Sequence, residues 1–401
     1  MLRGATPRVW PLAGVACCLL WNARSYAEEE GSSALEVHGF VSQGFILSTA
    51  NNYLANSERG SFEFTEVGIN FTKPLTDRLR IGVQIFTRDL GPIGNYKPQF
   101  DWFYLDYRFQ DWLGLRAGRT KIPFGLYNET NDIDAARVPI LLPQSVYPVQ
   151  NRDFLLAQTG GELYGNVPLG SAGGLEYRVY GGTIFIDTST STTTVPDLSV
   201  PYLAGGRLMW QTPLEGLQAG GSLQGLRLDF DYVPPPALVT KAQMEGTLPA
   251  DFRGSVDVKL PALLWVGSVE YQIHDWLFAT EYSRWGVKIQ SSVPALVPES
   301  SSVSERFYGM TSYHVTSWLT PGVYYSALFP NVDDRTSRRD FYQHDVAATV
   351  RFDINPYWLV KVEGHVMHGT AGLARPLNDN QELRTLTRDW GVLLLKTTAY
   401  F

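Results

Sequence analysis

Only two cysteines occur in the 401 residues, side by side at Cys17 and Cys18. Both lie in the apolar run "VWPLAGVACCLLW" (9–21), which follows Arg3 and Arg8 and precedes "NARSYA". That order of basic, apolar and small residues reads as a secretory signal over 1–27, with Ser25 and Ala27 at the small-residue positions of the cut. Lipidation at Cys17 or Cys18 is the alternative to cleavage after Ala27. Residues 28–401 then hold no cysteine, so no disulfide contributes to their stability. Losing 1–27 also removes Arg3, Arg8 and Arg24 and no acid, which takes the net charge from −7 to −10.

Long hydrophobic runs are missing too. No stretch beyond the signal reaches the roughly 18 apolar residues of a membrane-spanning helix, which excludes a helical membrane protein. Charged residues make up only 18%. The sequence also lacks a nucleophile elbow, a Walker loop, a Rossmann glycine pattern and a zinc-spaced histidine pair. His365 and His368 are three apart, which on a strand puts them on opposite faces. "TSYHVTS" (311–317) offers a Ser and a His without an acid in train. We expect no catalytic residues, no metal, no cofactor and no nucleic-acid partner.

What is abundant is aromatic residues, 13%, and glycine, 37 residues, a mixture that suits strands and turns. Apolar and polar residues alternate along segment after segment. In "LRIGVQIFT" (79–87), Leu79, Ile81, Val83 and Ile85 oppose Arg80, Gly82 and Gln84; in "WLVKVEGHV" (358–366), Val360, Val362 and Val366 oppose Lys361, Glu363 and His365. This period marks strands with one apolar and one polar face. About 16 such segments run from 36–48 to 389–401. Their connections alternate short and long, with long ones at 49–60, 89–99, 123–155, 187–203, 229–261, 290–303, 329–340 and 369–388.

A soluble sandwich has no reason to gather every tight turn at one end. A bacterial outer-membrane barrel has short periplasmic turns and longer outer loops, and it must close because lipid offers no partner to a free edge. The pattern therefore predicts an all-β, transmembrane, antiparallel up-and-down β-barrel of about 16 strands with a long third loop, over 28–401. Apolar side chains would face lipid and polar ones a wet lumen.

Trp112, Trp276, Trp318 and Trp358, in "QDWL", "HDWL", "TSWL" and "PYWL", each leave a short turn. They should share one rim, where an indole sits half in lipid and half in water. The last strand, ending at Phe401, is similar to the signal read by the outer-membrane assembly machinery.

"LRAGRTKIPFGLYNETNDIDAARVP" (115–139) resembles the phosphate-selective porin family and its relatives through a "GR-x-K-x-PFG" element: Gly118, Arg119, Lys121, Pro123, Phe124 and Gly125. The opening strand "LEVHGFVSQGFI" (35–46) is also similar. The resemblance implies a Gram-negative outer-membrane porin, a homotrimer, whose third loop folds inward and narrows the channel.

The residues support a functional third loop on their own terms. Its length is unusual for an idle connection, and "VPILLPQSVYP" (138–148) is an apolar patch seeking a wall, the barrel's own or, as the alternative, that of a neighbour in an oligomer. Asp132, Asp134, Arg137, Arg152 and Asp153 supply charge to a constriction. Arg80, Arg88, Arg108 and Arg116 should form a basic column on the inner wall, opposed by Glu66, Asp106, Glu176, Glu281, Asp345 and Glu363. Arg119 and Lys121 share a face with Leu113, Leu115 and Ala117, so they either snorkel at the outer rim or are flipped inward by a bulge near Gly118. The expected function is passive diffusion of small hydrophilic solutes. The alternatives are an anion-selective, phosphate-type channel and a non-conducting barrel whose loops, such as "DTSTSTTT" (187–194), bind a surface partner.

Overall fold

The computed structural model describes residues 34–91, 94–185, 198–374, 377–378 and 386–401. The signal reading over 1–27, the loop stretch 187–194 and the Asp153 side chain lie outside the described residues. The strands are β1 (Glu36–Ser48), β2 (Thr65–Pro74), β3 (Leu79–Asp89), β4 (Gln99–Gln110), β5 (Leu113–Lys121), β6 (Ala157–Pro168), β7 (Gly174–Ile184) and β8 (Leu198–Gln211). They continue as β9 (Leu217–Tyr232), β10 (Val256–Ile273), β11 (Trp276–Ser291), β12 (Ser300–Tyr313), β13 (Leu319–Phe329), β14 (Gln343–Asn355), β15 (Trp358–Gly369) and β16 (Asp389–Tyr400). Each pairs antiparallel with its sequence neighbour, and β1 closes on β16 from Phe40 opposite Tyr400 to Ser48 opposite Val392. All 16 strands fall where the alternation predicts, and the barrel has no free edge.

Among the described residues no helix is long and apolar enough to cross a membrane. The outward side chains of the strands suit lipid. Val366 on β15 is 70% exposed, and Leu208, Leu263 and Val346 are also open, an apolar belt that water would penalise and hydrocarbon does not. The four tryptophans at the short-turn exits are all exposed at the same end. Trp358 also donates Nε1–H to Thr397 Oγ1 at 2.7 Å, the polar half of its amphipathic role.

The inner face departs from the simple inversion. It is not polar throughout: Leu203, Leu264, Val266, Ala279 and Trp285 point inward and are buried. They are covered by Ile122, Phe124, Leu142, Val146 and Leu155 from the segment between β5 and β6. A second apolar cluster joins Ile140 and Leu141 of that segment to Ile46, Val392 and Leu394 of the wall and to Tyr53 and Leu54 of the first long loop. Alternation reads only which residues differ from their neighbours. It cannot see that part of the inner wall serves as a floor for a loop.

At the opposite end from the tryptophans, 233–255 carries a helix over Pro236–Met244, and Ala242 and Leu248 pack against Val256, Val258 and Leu296. This loop forms its own small cap.

Candidate functional site

Two glycines, one late in β5 and one early in the segment 122–156, explain its motif. Gly118 sits at φ +130, and a Cβ there would meet Phe103 O at 2.4 Å. Gly125 turns at φ +63, where a Cβ would lie 2.4 Å from the Tyr147 hydroxyl and 2.8 Å from Glu281 Oε1. Only glycine reaches these conformations without strain. Between them Phe124 is buried edge-on to Trp285 of β11, with ring centroids 6.2 Å apart.

From Gly125 the chain crosses the barrel interior, and its attachment points identify the far wall. Gly125 N donates to Ser222 Oγ of β9 at 3.1 Å, and the Tyr127 hydroxyl to Glu270 Oε2 of β10 at 2.5 Å. Leu126 N donates to Glu281 Oε1 at 2.9 Å, the Tyr147 hydroxyl to the same carboxylate, and Ser145 Oγ to Phe307 O at 3.2 Å. On β15, Glu363 accepts the amides of Ile140 at 2.6 Å and Leu141 at 3.0 Å. Lys361, fully buried, donates to Asp134 O at 2.7 Å, Asp134 Oδ1 at 3.0 Å and Arg137 O at 2.8 Å. Arg351 of β14 holds Ala135 O at 2.7 Å, and Thr398 of β16 holds Asp134 Oδ2 at 2.8 Å. Carbonyls and amides that a loop cannot satisfy internally are thus taken up by wall side chains.

Several charges expected at a constriction turn out to fix the loop in place. Asp134 sits between Lys361, Lys396 at 3.5 Å and Arg137 at 3.9 Å. Burial alone would raise its carboxyl, but those cations hold it well below the usual carboxylate range. Asp132 pairs with Lys121 at 2.5 Å and accepts from Gln84 at 2.8 Å; it too is held low against its burial. Arg152 pairs with Asp101 at 2.7 Å and lies over the Phe86 ring at 4.3 Å. Arg137 Nη1 donates to Asn131 O at 2.6 Å.

Of the four arginines expected as a basic column, Arg80 and Arg116 stand together, interleaved with acids. Arg80 and Arg116 both grip Asp106 Oδ2, at 3.0 and 3.2 Å, and Arg116 continues to Glu162 at 3.8 Å. Arg178 of β7 bonds Glu162 and reaches Glu129 of the loop at 3.1 Å; Arg207 of β8 joins Glu129 at 3.4 Å and Glu176 at 2.5 Å. Burial would raise the Glu129 carboxyl, but Arg178, Arg207 and Arg116 bring it down to about 2. Tyr104 and Tyr164 flank the ladder, with Arg116 4.4 Å above the Tyr164 ring. Arg88 is buried on the inner face of β3, and Arg108 pairs with Asp111 at 2.8 Å near the short-turn end.

Arg119 and Lys121 keep the register face of Leu115 and Ala117. The β4–β5 pairing shifts only at Arg108/Gln110 and β5–β6 not at all, so no bulge flips them at Gly118. They sit at the loop end of the strand instead. Arg119 Nε donates to Asp101 O at 2.9 Å, and Lys121 Nζ reaches over to Glu129 O at 2.7 Å.

Sequence reasoning did not single out Arg178, Arg207, Glu129, Lys361 or Lys396 as site residues. The polar parity of "LEYRVYGGTIF" and "WLVKVEGHV" already put Arg178 and Lys361 on the inner face; what it lacked was the loop that meets them. Among the described residues no group of His, Cys, Asp and Glu could hold a metal.

No family profile and no curated protein matches the sequence. Solved structures do. An anion-selective porin from Comamonas acidovorans superposes with a TM-score of 0.54 at 12% identity, over 92% of this chain and 99% of that one. The outer-membrane channel DcaP of Acinetobacter baumannii gives 0.52 at 12% identity over 94% and 100%, and Salmonella typhi OmpF, in complex with daunomycin, 0.51 at 11% over 92% and 97%. At such identities the likeness is one of fold: the chain resembles Gram-negative outer-membrane porins and shares their closed antiparallel barrel.

Proposed function

We propose that the protein is an outer-membrane porin passing small hydrophilic solutes and ions down their gradients, with residues 122–156 narrowing the lumen. The observation that carries this reading is the third loop tied across the inner wall by Glu281, Lys361 and Glu363. A non-conducting surface-binding barrel gains nothing from a loop held at such depth. On this reading 1–27 is the secretory signal, Phe401 is the assembly signal and the working form is a homotrimer. Planar-bilayer conductance is the test, and a silent protein ends the porin reading.

A second reading, preference for anions, draws on the ladder Arg80, Arg116, Arg178 and Arg207. Guanidinium donors line one side of the lumen and focus field there. Each is matched to Asp106, Glu162, Glu129 or Glu176, so the ladder favours weak selectivity over strong. Reversal potential in a KCl gradient measures it. Arg80→Ala with Arg116→Ala should move the potential toward cation preference; an unchanged value removes the ladder from selectivity.

A further inference from the structure

Arg306 differs from the inner-wall arginines of the ladder. It lies on β12 between Ser304 and Tyr308, and register places it opposite Ser283 of β11 and Leu328 of β13. Since Tyr308 points inward to Glu281 of the neighbouring strand, Arg306 points inward too. Its guanidinium carbon stands 3.3 Å from the centre of the Trp285 ring, a flat support that covers one face of the fork. Trp285 is itself fixed by Phe124 on one side and by its Nε1–H to Ser283 Oγ, 2.9 Å, on the other.

What Arg306 lacks is an acceptor. Its Nε and Nη1 are shielded from solvent and have no hydrogen-bond partner. Among the described residues no carboxylate lies within the 4 Å of an ion pair with it. The inward acid on the facing strand, Glu281, already takes donors from Ser268, Tyr147, Tyr308 and Leu126 N. Arg80, Arg116, Arg178 and Arg207, by contrast, each meet a carboxylate. Leaving charged donors unpaired is costly, and a structure that does so calls for the group that completes them.

The position fits a passing solute. Arg306 is half-buried, and because it points inward its open part faces the barrel interior. It stands at the height of the third loop, since Ser145 of that loop donates to the carbonyl of the next residue, Phe307. A guanidinium on a long stem can swing its free donors toward the passage and meet an oxyanion with two parallel N–H bonds.

We propose that Arg306, backed by Trp285, is a docking site in the lumen for the oxyanion group, carboxylate or phosphate, of a permeating solute. The proposal rests on the porin reading and names the solute chemistry it serves. In wild-type channels in planar bilayers, acetate or inorganic phosphate reduces the KCl current in a saturable way. Block by acetate alone assigns the site to carboxylates, and block by phosphate alone to phosphates. Arg306→Gln raises the half-blocking concentration about tenfold, as loss of a charge-assisted bond implies, while open conductance stays within about twofold. Arg306→Lys, which keeps the charge without the fork, falls between.

Equal half-blocking concentrations in wild type and Arg306→Gln overturn the site, as does a conducting wild type that neither anion blocks. Should the wild type not conduct at all, the porin reading fails, and the site is read instead by calorimetric titration of phosphate into the detergent-solubilised protein. Heat that vanishes in Arg306→Gln supports the site there, and heat that is absent or unchanged overturns it. Arg306→Lys carries the comparison if the glutamine variant does not give a folded, heat-modifiable band on a gel.

Discussion

Lys361 shows how one residue can decide the position of a loop. A fully buried ammonium must be completely satisfied, and its partners are one carboxylate and backbone carbonyls of a segment more than 200 residues earlier. Lys361→Met removes the shortest donor to those carbonyls and leaves Asp134 with Thr398 and the more distant Lys396 and Arg137. Breaking a buried pair from one side costs about 3 kcal/mol or more, so the urea midpoint should fall while the barrel still forms, as followed by heat-modifiable gel mobility. Glu129 supplies a pH test. Its carboxyl is lowered from 4.5 to about 2 by Arg178 and Arg207, against the burial that would raise it. A depressed carboxylate contributes its stability fully above 4.5 and loses it as pH falls toward 2. Asp132 and Asp134 shift in the same direction. The stability that Glu129 supplies should therefore be constant above about 4.5 and decline below it: the urea-midpoint difference between wild type and Glu129→Gln should shrink as pH falls from 4.5 toward 2, and a difference that does not shrink would mean that this carboxylate does not hold the loop.

On the porin reading the third loop is the element on which function turns, and deleting 127–150 is its direct test. The deletion removes Glu129, Asp132, Asp134 and Tyr147 together and should raise single-channel conductance about twofold, by analogy with a pore whose width is set by a lining element. An unchanged value would mean that the loop does not limit flow. How much of this was legible beforehand differs by kind. Strand number, the placing of Ile81, Val346 and Val366 outside, and the four tryptophans on one rim all follow from local alternation and turn length, and the fold bears them out. The loop's charges were visible as charges, but their partners were not. Asp134 meets Lys361 and Thr398 across more than 220 residues, and no local period encodes such a pairing. The apolar inner wall at Leu264, Val266 and Trp285 was illegible for the same reason, since an apolar inner face is tolerable only where Phe124 and Leu142 come to cover it.

The whole molecule is polarised along the barrel axis, with bare turns and tryptophans at one end and the capped loop over Pro236–Met244 at the other. On the porin reading the first end faces the periplasm and the second the outside. The near-absence of cysteine makes this testable: on the reading of 1–27 as a signal, Cys17 and Cys18 leave with it, and any thiol in the processed protein is an introduced one. Lys241→Cys lies on the capping helix, where the lysine side chain is 71% exposed and holds only a loose 3.9 Å pair with Glu245. Thr76→Cys lies in the short turn 75–78; the threonine hydroxyl accepts Leu79 N at 3.0 Å, a bond the turn can lose without unfolding a strand. A polyethylene-glycol maleimide too large for any porin lumen, added to intact cells, should shift the mass of Lys241→Cys and leave Thr76→Cys unmodified. Lysing the cells should make both react. The reverse pattern would invert the barrel and put the tryptophan rim outside. Labelling of neither position in intact cells, with both reacting after lysis, would remove the protein from the outer membrane and with it the reading of the third loop as a gate to the cell.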